Sequence, residues 1–179
     1  MLERGTSVAH CVGSNMKAGK GIAPVKEMIE HGIAVGLGTD GPSSGNTLDL
    51  FTQMKIAVYA QKTHYKDRSL FKAQEIVKLA TMGGAKALKM DDRIGSLEVG
   101  KQADIVLIET DSVNMFPIYD PYSAIVYSAN ASNVDSVWIN GTRVLSNKQS
   151  VFNLQEIKAA LQHEMKLFQK RAVERSKEL

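Results

Sequence analysis

The sequence predicts an α/β fold, and three patterns within its first 40 residues support this prediction. A β-like run covers residues 6–11, a helix that opens at Pro24 follows it, and an almost uninterrupted apolar run of strand length covers residues 33–38. The second run lacks polar alternation, which is typical of strands that helices cover on both faces of a parallel sheet. Two strands joined through a helix by short links form a βαβ unit.

The connecting helix carries the expected residues at both of its ends. Pro24 suits the start because its missing N–H group would have no partner there, and Gly32 suits the end. Residues 13–21, between the first strand and this helix, are rich in Gly and Lys, and they predict a loop.

Two more helices are predicted before the chain changes character. Asn46 or Thr47 can cap the first of them with a side-chain oxygen. The second begins near Leu70, and we expect residues 81–84, with their two glycines, to interrupt it before a short helix over residues 85–90.

From residue 91 onwards the pattern is mainly β. Residues 94–101 predict a turn-rich pair of strands, and residues 103–108 predict one strand. Asn140-Gly141 separates two further apolar runs, and this dipeptide is the strongest short-range hairpin signal. We therefore predict a boundary near residue 90, with one domain over residues 1–90 and a second over residues 91–179.

The chain is predicted to end in an amphipathic helix that starts near Leu154. Its apolar residues follow the three- and four-residue spacing of one helix face: Ile157, Leu161, Met165, Phe168 and Ala172. The other positions mix Lys and Arg with Glu, which is typical of a face in contact with water rather than one that binds an acidic partner.

The composition limits the classes of protein to which the chain can belong. Hydrophobic residues make up 44% and charged residues 23% of the 179 residues, which excludes a disordered or collagen-like chain. A net charge of +3 gives little support for nucleic-acid binding, and the apolar runs are far shorter than the roughly 20 residues that a bilayer requires. The single cysteine, Cys11, cannot form an internal disulfide, so we expect a cytoplasmic protein with no nucleic-acid or membrane partner.

Asp40 is the first candidate for chemistry. It follows the apolar strand and precedes a loop of turn-forming residues over 41–46. The carboxyl end of a parallel strand is where α/β folds place catalytic groups, because side chains from neighbouring strands converge there. The alternative is that Asp40 caps the following helix or turn. The spacing alone leaves both interpretations open.

His10 is the second candidate, and it ends the preceding strand. Its side chain and that of Asp40 would then face one cavity, where a histidine can position a substrate, transfer a proton or bind a metal. A hydrogen-bonded histidine of the core is the alternative. Ser14, Asn15 and Lys17 follow in the predicted loop, where they either line the same cavity or are ordinary loop residues.

Several short motifs follow one another along nearly the whole chain. They are His-Cys-Val-Gly-Ser-Asn-Met-Lys at 10–17, Gly-Ile-Ala-Pro-Val at 21–25, Gly-Thr-Asp-Gly at 38–41, Gly-Ser-Leu-Glu-Val-Gly-Lys-Gln-Ala-Asp at 95–104 and a late hairpin at 137–141. Together they resemble the amidohydrolase superfamily, and within it the branch of methylthioadenosine/S-adenosylhomocysteine deaminases and chlorohydrolases.

The resemblance implies a metal-dependent (β/α)₈ barrel with one divalent ion, zinc, and a small β-sandwich. Asp40 matches the residue that ends the eighth barrel strand, binds the metal and takes a proton from the attacking water. The ion lowers the pKa of that water towards ~7, and a purine-like or other cyclic amidine then loses ammonia. His10, Ser14 and Asn15 match positions that line the substrate pocket.

The sequence also departs from the family pattern. The His-x-His pair of the first barrel strand and the metal ligands of the fifth and sixth strands are missing, and a barrel of this kind needs about 250 residues. Cys11-Val12 stands where the family usually has Asn-Pro. Since catalytic zinc sites commonly use three protein ligands, we expect the C-terminal portion of an enzyme that is inactive alone and binds metal weakly or not at all.

Three other interpretations stay open. Within the enzyme class the chain resembles chlorohydrolases and guanine-type deaminases as well. From a different class, it can be a non-catalytic remnant that self-associates or binds a partner. Two barrel strands leave unpaired edges and exposed apolar surface, which favour association, so we expect a homo-oligomer.

Overall fold

Two β-sheets, one parallel and one antiparallel, form the framework of the computed structural model, which describes residues 2–176. Strands β1 (Val8–His10) and β2 (Val35–Leu37) are parallel neighbours, with His10 opposite Leu37. The antiparallel sheet contains β3 (Ile105–Ile108), β4 (Val134–Ile139), β5 (Thr142–Ser146) and β6 (Gln149–Ser150), in that order across the sheet. The predicted α/β class is confirmed.

Helices connect and cover the strands. The α-helices are α1 (Val12–Lys17), α2 (Val25–Glu30), α3 (Pro42–Gly45), α4 (Leu50–Tyr65), α5 (Ala73–Lys78), α6 (Gly84–Ala87), α7 (Pro121–Ser123) and α8 (Leu154–Ser176). Turns of 3₁₀-helix cover Leu2–Arg4 and Ala131–Asn133, and π-helical turns cover Leu79–Gly83 and Ala124–Ser128. Among residues 2–176, no helix has the length and apolar character needed to cross a membrane.

The main core lies between the parallel strands and helices α2, α4 and α5. Five of its side chains are almost fully buried: Val25, Val35, Val58, Ile76 and Val126. A smaller cluster joins α1 to α4 through Val12 and Ala57. Burial of apolar surface is the main stabilising contribution to folding, so both clusters help to hold the carboxyl ends of β1 and β2 in place.

Residues 81–84 do not interrupt the helical backbone, so that prediction was wrong. Gly83 and Gly84 have helical φ angles of −62° and −61°. A Cβ atom on Gly83 would lie 2.5 Å from the carbonyl oxygen of Val35, and one on Gly36 would lie 2.6 Å from the Cα atom of Gly84. The glycines therefore let the helical segment approach β2 closely instead of ending the segment.

Residues 94–101 form turns rather than the predicted pair of strands. Gly95 and Gly100 have φ angles of +94° and +95°, a left-handed region that glycine enters at little cost. The Nζ atom of Lys101 donates a hydrogen bond to the carbonyl oxygen of Asp91 at 2.7 Å. These features fold the segment back on itself, and this prevents an extended strand.

Neither Asn46 nor Thr47 caps α4, contrary to the prediction. The cap is Asp49, whose Oδ1 atom accepts a hydrogen bond from the N–H of Phe51 at 2.9 Å. Pro42 opens the short helix α3 in a region where the sequence predicts a loop, and Asn46 ends that helix with a φ angle of +60°. The cap of α4 therefore falls later in the chain.

The hairpin and the terminal helix are confirmed. Asn140 and Gly141, with φ angles of +49° and +77°, connect the antiparallel strands β4 and β5. Helix α8 follows from Leu154, but among the described residues, 2–176, its apolar face stays exposed. Leu161 is 58% exposed and Phe168 is 72% exposed.

Candidate active site at the ends of the parallel strands

Asp40 lies just beyond the end of β2, with its side chain exposed. Its φ angle of +61° is in the left-handed region, which Asp tolerates better than most residues. The Oδ2 atom accepts a hydrogen bond from the Oγ of Ser14 at 2.7 Å, and Oδ1 accepts one from the N–H of Gly41 at 2.6 Å. The Ser14 hydroxyl, followed by the Gly41 N–H, lowers the pKa of the Asp40 carboxyl, so it is ionised at neutral pH.

Asp40 is not the N-cap residue of either following helix, although its carboxylate takes part in the turn that leads into α3. Gly41 is the N-cap residue of α3, and no side chain caps that helix, whereas α4 is capped by Asp49. The Asp40 carboxylate accepts one hydrogen bond from Ser14 of α1 and another from the N–H of Gly41, the residue at the start of α3. This leaves it at the edge of the sheet where β1 and β2 end, as the functional interpretation requires.

Ser14 and Asn15 lie on helix α1, so the predicted loop over residues 13–21 was wrong at its start. Helix α1 forms here because its Val12 side chain, only 1% exposed, packs against Ala57 of α4. Ser14 lies two residues after Val12 in the same helix, and its hydroxyl donates a hydrogen bond to Asp40. Asn15 is partly buried next to it.

His10 is buried at the carboxyl end of β1, with 3% of its surface exposed. Its Nε2 atom has no hydrogen-bond partner among residues 2–176, which does not favour the alternative of a hydrogen-bonded histidine of the core. Burial lowers the pKa of His10 and favours the neutral ring. The structure does not join His10 to Asp40 by a hydrogen bond.

Lys17 connects α1 to the segment that follows Asp40. Its Nζ atom donates to the carbonyl oxygen of Ser44 at 3.0 Å and also to Oδ1 of Asn46. Together with the bond between Ser14 and Asp40, this gives α1 two attachments to residues 40–46. The segment around Asp40 is therefore held on the α1 side by polar contacts.

Sequence reasoning missed one functional neighbour, Gln53 of α4. Its side chain is 1% exposed, and its Oε1 atom accepts a hydrogen bond from the N–H of Gly13 at 3.0 Å. A signal existed in the sequence, since Gln53 shares a helix face with the apolar Ala57 and Ala60. A polar residue on a core face needs a partner, and that need predicts a specific contact.

The donor set does not amount to a complete metal site. Within residues 2–176, no group of three or more His, Cys, Asp and Glu side chains is placed to hold an ion. Catalytic zinc commonly takes three protein ligands, and the carboxylate of Asp40 already accepts bonds from Ser14 and Gly41. The residues present therefore do not fit a resident zinc ion by themselves.

A separate cavity lies elsewhere on the chain. It is an apolar groove of about 600 Å³ between α4, the segment after α5, and strand β3. Leu50, Val77, Ile105 and Val137 line it, and Asp40, His10 and Ser14 do not. The candidate site is thus an open edge of the sheet rather than this groove.

Comparison with known families gives one match over most of the chain. The sequence pattern of the amidohydrolase family matches residues 1–144. Among curated relatives, a 5-methylthioadenosine/S-adenosylhomocysteine deaminase of Thermodesulfovibrio yellowstonii is 41% identical over 152 residues. That match covers 85% of this chain but 35% of the relative, so the chain spans about a third of the relative's length.

Solved structures give the same result. An adenosine deaminase from Xanthomonas campestris with bound zinc matches with a TM-score of 0.85 and 34% identity, over 95% of this chain and 38% of that one. The zinc complex of an atrazine chlorohydrolase from Arthrobacter aurescens matches with a TM-score of 0.81 and 28% identity, over 88% and 35% of the two chains.

Proposed function

Because the chain belongs to the amidohydrolase family, we propose that it forms the C-terminal part of a metal-dependent hydrolase that deaminates a purine-like or other cyclic amidine. The observation that carries the proposal is the ionised carboxylate of Asp40 at the end of a parallel strand, with Ser14 hydrogen-bonded to it. The name of a similar relative, the T. yellowstonii deaminase, suggests 5′-methylthioadenosine or S-adenosylhomocysteine as the substrate.

We propose that β1 and β2 are the last two strands of the enzyme's barrel. Their parallel pairing and their helical cover are what two neighbouring barrel strands require. In this proposal residues 1–90 belong to the barrel, and residues 91–179 belong to a composite β-sandwich followed by the terminal helix. The four-stranded antiparallel sheet supports the second assignment.

In the proposed enzyme Asp40 supplies one carboxylate to a divalent ion, zinc, and His10, Ser14 and Asn15 line the substrate pocket. When bound, such an ion makes water a stronger nucleophile at neutral pH. Ser14 holds the carboxylate in its orientation. Since the described residues do not fit a complete zinc site, the chain alone should bind zinc at less than one equivalent and should not deaminate.

A chlorohydrolase is the second candidate, favoured by the structural similarity to the atrazine enzyme. Both reactions displace a group from a ring carbon with water, and they differ in whether ammonia or chloride leaves. The two candidates are therefore separated by the product released from an amino-substituted or a chloro-substituted ring. The candidate from another class, a non-catalytic chain that self-associates, predicts neither product.

A chimera tests the proposal directly. Residues 1–144 of this chain replace the matching segment of the T. yellowstonii deaminase, and ammonia release from 5′-methylthioadenosine is measured with bound zinc. We expect activity that Asp40→Asn lowers ~10²–10⁴-fold. Asp67→Asn is the matched control, because Asp67 is another exposed aspartate hydrogen-bonded to a serine, and it should keep full activity.

A folded, zinc-loaded chimera without ammonia or chloride release would contradict the proposal. Equal activity of the Asp40→Asn and Asp67→Asn variants would contradict the role of Asp40. For the chain alone, tight binding of one zinc ion per chain in equilibrium dialysis would show that its metal site is complete, against the expectation.

A further inference from the structure

We infer that Gln53 of α4 is a positioning residue for Asp40 and acts through the first turn of α1 and Ser14. The inference rests on the proposed function, since it assigns Gln53 to the site in which Asp40 acts. It concerns a residue that lies outside the strand ends and that touches neither a substrate nor a metal ion.

The amide of Gln53 takes the place of a missing helix cap. The first N–H groups of a helix have no partner inside it, and Cys11, at the N-cap position of α1, makes no side-chain cap bond. The Oε1 atom of Gln53 accepts the bond from the N–H of Gly13 at 3.0 Å instead. Gln53 is 1% exposed, so its amide is buried with a specific partner rather than hydrated.

The approach of Gln53 to α1 is close enough to define the position of that helix. A Cβ atom on Gly13 would lie 2.9 Å from Nε2 and 3.0 Å from Oε1 of Gln53, so a larger residue at position 13 would displace the amide. The residue after Gly13 is Ser14, whose Oγ lies 2.7 Å from Oδ2 of Asp40. Two hydrogen bonds and the backbone between Gly13 and Ser14 therefore connect the core of α4 to the Asp40 carboxylate.

Gln61 supplies a matched control on the same helix. It lies about two turns after Gln53, is also 1% exposed, and donates from Nε2 to the carbonyl oxygen of Ala23 at 2.8 Å. Both glutamines hold the backbone of the segment between β1 and α2 by one buried amide bond. Of the two glutamines, Gln53 bonds to α1 and Gln61 bonds outside it, so Gln53 should affect Ser14 and Asp40 and Gln61 should not.

NMR spectroscopy of the ¹³C,¹⁵N-labelled full chain at pH 7 tests the inference. The readouts are the side-chain carboxyl ¹³C shift of Asp40 and the hydrogen exchange rate of the Gly13 amide, in Gln53→Met, Gln61→Met and Ser14→Ala. Methionine has a similar length and lacks the amide. We expect Gln53→Met to move the Asp40 shift towards its value in Ser14→Ala and to speed Gly13 exchange about fivefold, whereas Gln61→Met should change neither.

Melting temperatures control for a general loss of structure, and the two Met variants should melt at similar temperatures. A folded Gln53→Met variant that keeps the wild-type Asp40 shift would overturn the inference, as would the same shift change in Gln61→Met. If Gln53→Met does not fold, Gln53→Asn has the same expected result, because it shortens the reach of the amide by one methylene. None of these readouts needs turnover, so an inactive chimera leaves them unaffected.

Discussion

Two glycines in contact with each other should respond in opposite ways to alanine. A Cβ atom on Gly36 would lie 2.6 Å from Cα and 3.0 Å from N of Gly84, and these backbone atoms cannot move aside. Gly84 itself has free space at its Cβ position and a helical φ of −61°. We expect Gly36→Ala to destabilise the chain by about 1–3 kcal/mol and Gly84→Ala to stabilise it by about 0.5–1 kcal/mol, as measured by urea unfolding. Changes of the same sign in both variants would contradict this packing.

Tyr65 and Glu27 should titrate as a coupled pair at the edge of the core. The Tyr65 hydroxyl donates to Oε2 of Glu27. Burial, and then this hydrogen bond, raise the pKa of Tyr65 to about 12, and the same bond lowers the pKa of Glu27. We expect one tyrosine to ionise near pH 12 in ¹³C-tyrosine NMR. Tyr65→Phe should remove that signal, and Glu27→Gln should lower the midpoint only partway, because burial remains.

The signs of the two shifts define a pH window for this pair. The raised pKa of Tyr65 means that its contribution to stability is complete below the ordinary tyrosine pKa of 10.0 and is lost as pH rises through about 12. The lowered pKa of Glu27 means that its contribution is complete above 4.5 and is lost as pH falls through the folded-state pKa. A stability difference between wild type and Tyr65→Phe that grows below pH 4 would contradict the lowered pKa of Glu27, and a difference that does not decrease as pH rises from 10 to 12 would contradict the raised pKa of Tyr65.

Among the elements, helix α4 depends on its cap for a defined start. The Asp49 carboxylate accepts from the N–H of Phe51 at 2.9 Å and from the Thr52 hydroxyl at 2.8 Å. Asp49→Ala should therefore cost about 1 kcal/mol of unfolding free energy in a chemical denaturation experiment, whereas Asp49→Asn, another good cap residue, should cost much less. Equal losses in the two variants would show that the charge rather than the cap stabilises the helix.

The elements that could be predicted from the sequence are those with local signals. Pro24 and Gly32 mark the ends of α2, and Asn140-Gly141 marks the hairpin, because each satisfies a backbone requirement within a few residues. Helix α1 has no such signal. It forms from contacts with α4, through Val12 and Gln53, which are distant in sequence. Gly83 and Gly84 misled the prediction for the same reason, since their role is to contact β2.

The candidate site also contains one feature with a local sequence signal and others that depend on contacts between distant residues. The position of Asp40 at a strand end follows from the apolar run before it, and the structure places it there. The sequence names Ser14 as a candidate and indicates that Gln53 needs a partner, but it does not identify the two contacts, because both require the three-dimensional position of α1. The roles assigned to Asp40, His10, Ser14 and Asn15 remain predictions, and the chimera tests that of Asp40.

At the scale of the whole molecule, two areas of uncovered apolar surface bear on association. One is the groove between α4 and β3, and the other is the exposed face of α8, where Met165 is 59% exposed. Apolar areas of this kind on soluble proteins mark contacts with other surfaces. The length of the relatives, of which the chain covers about a third, supports the proposal that further structure packs on this part of the enzyme.

The chain alone should therefore self-associate, and α8 should contribute to the association. We expect sedimentation velocity at micromolar concentrations to give a mass above the 19.6 kDa of the monomer, and to give a smaller average mass for the double variant Leu161→Glu/Phe168→Glu. Both side chains are more than half exposed, so the substitutions should leave the melting temperature nearly unchanged. Lys158→Gln, on the same helix but outside its apolar face, is the control and should associate like the wild type. Association depends on concentration. If the unmodified 179-residue chain stays monomeric over the whole concentration range and binds no hydrophobic dye, this expectation is contradicted.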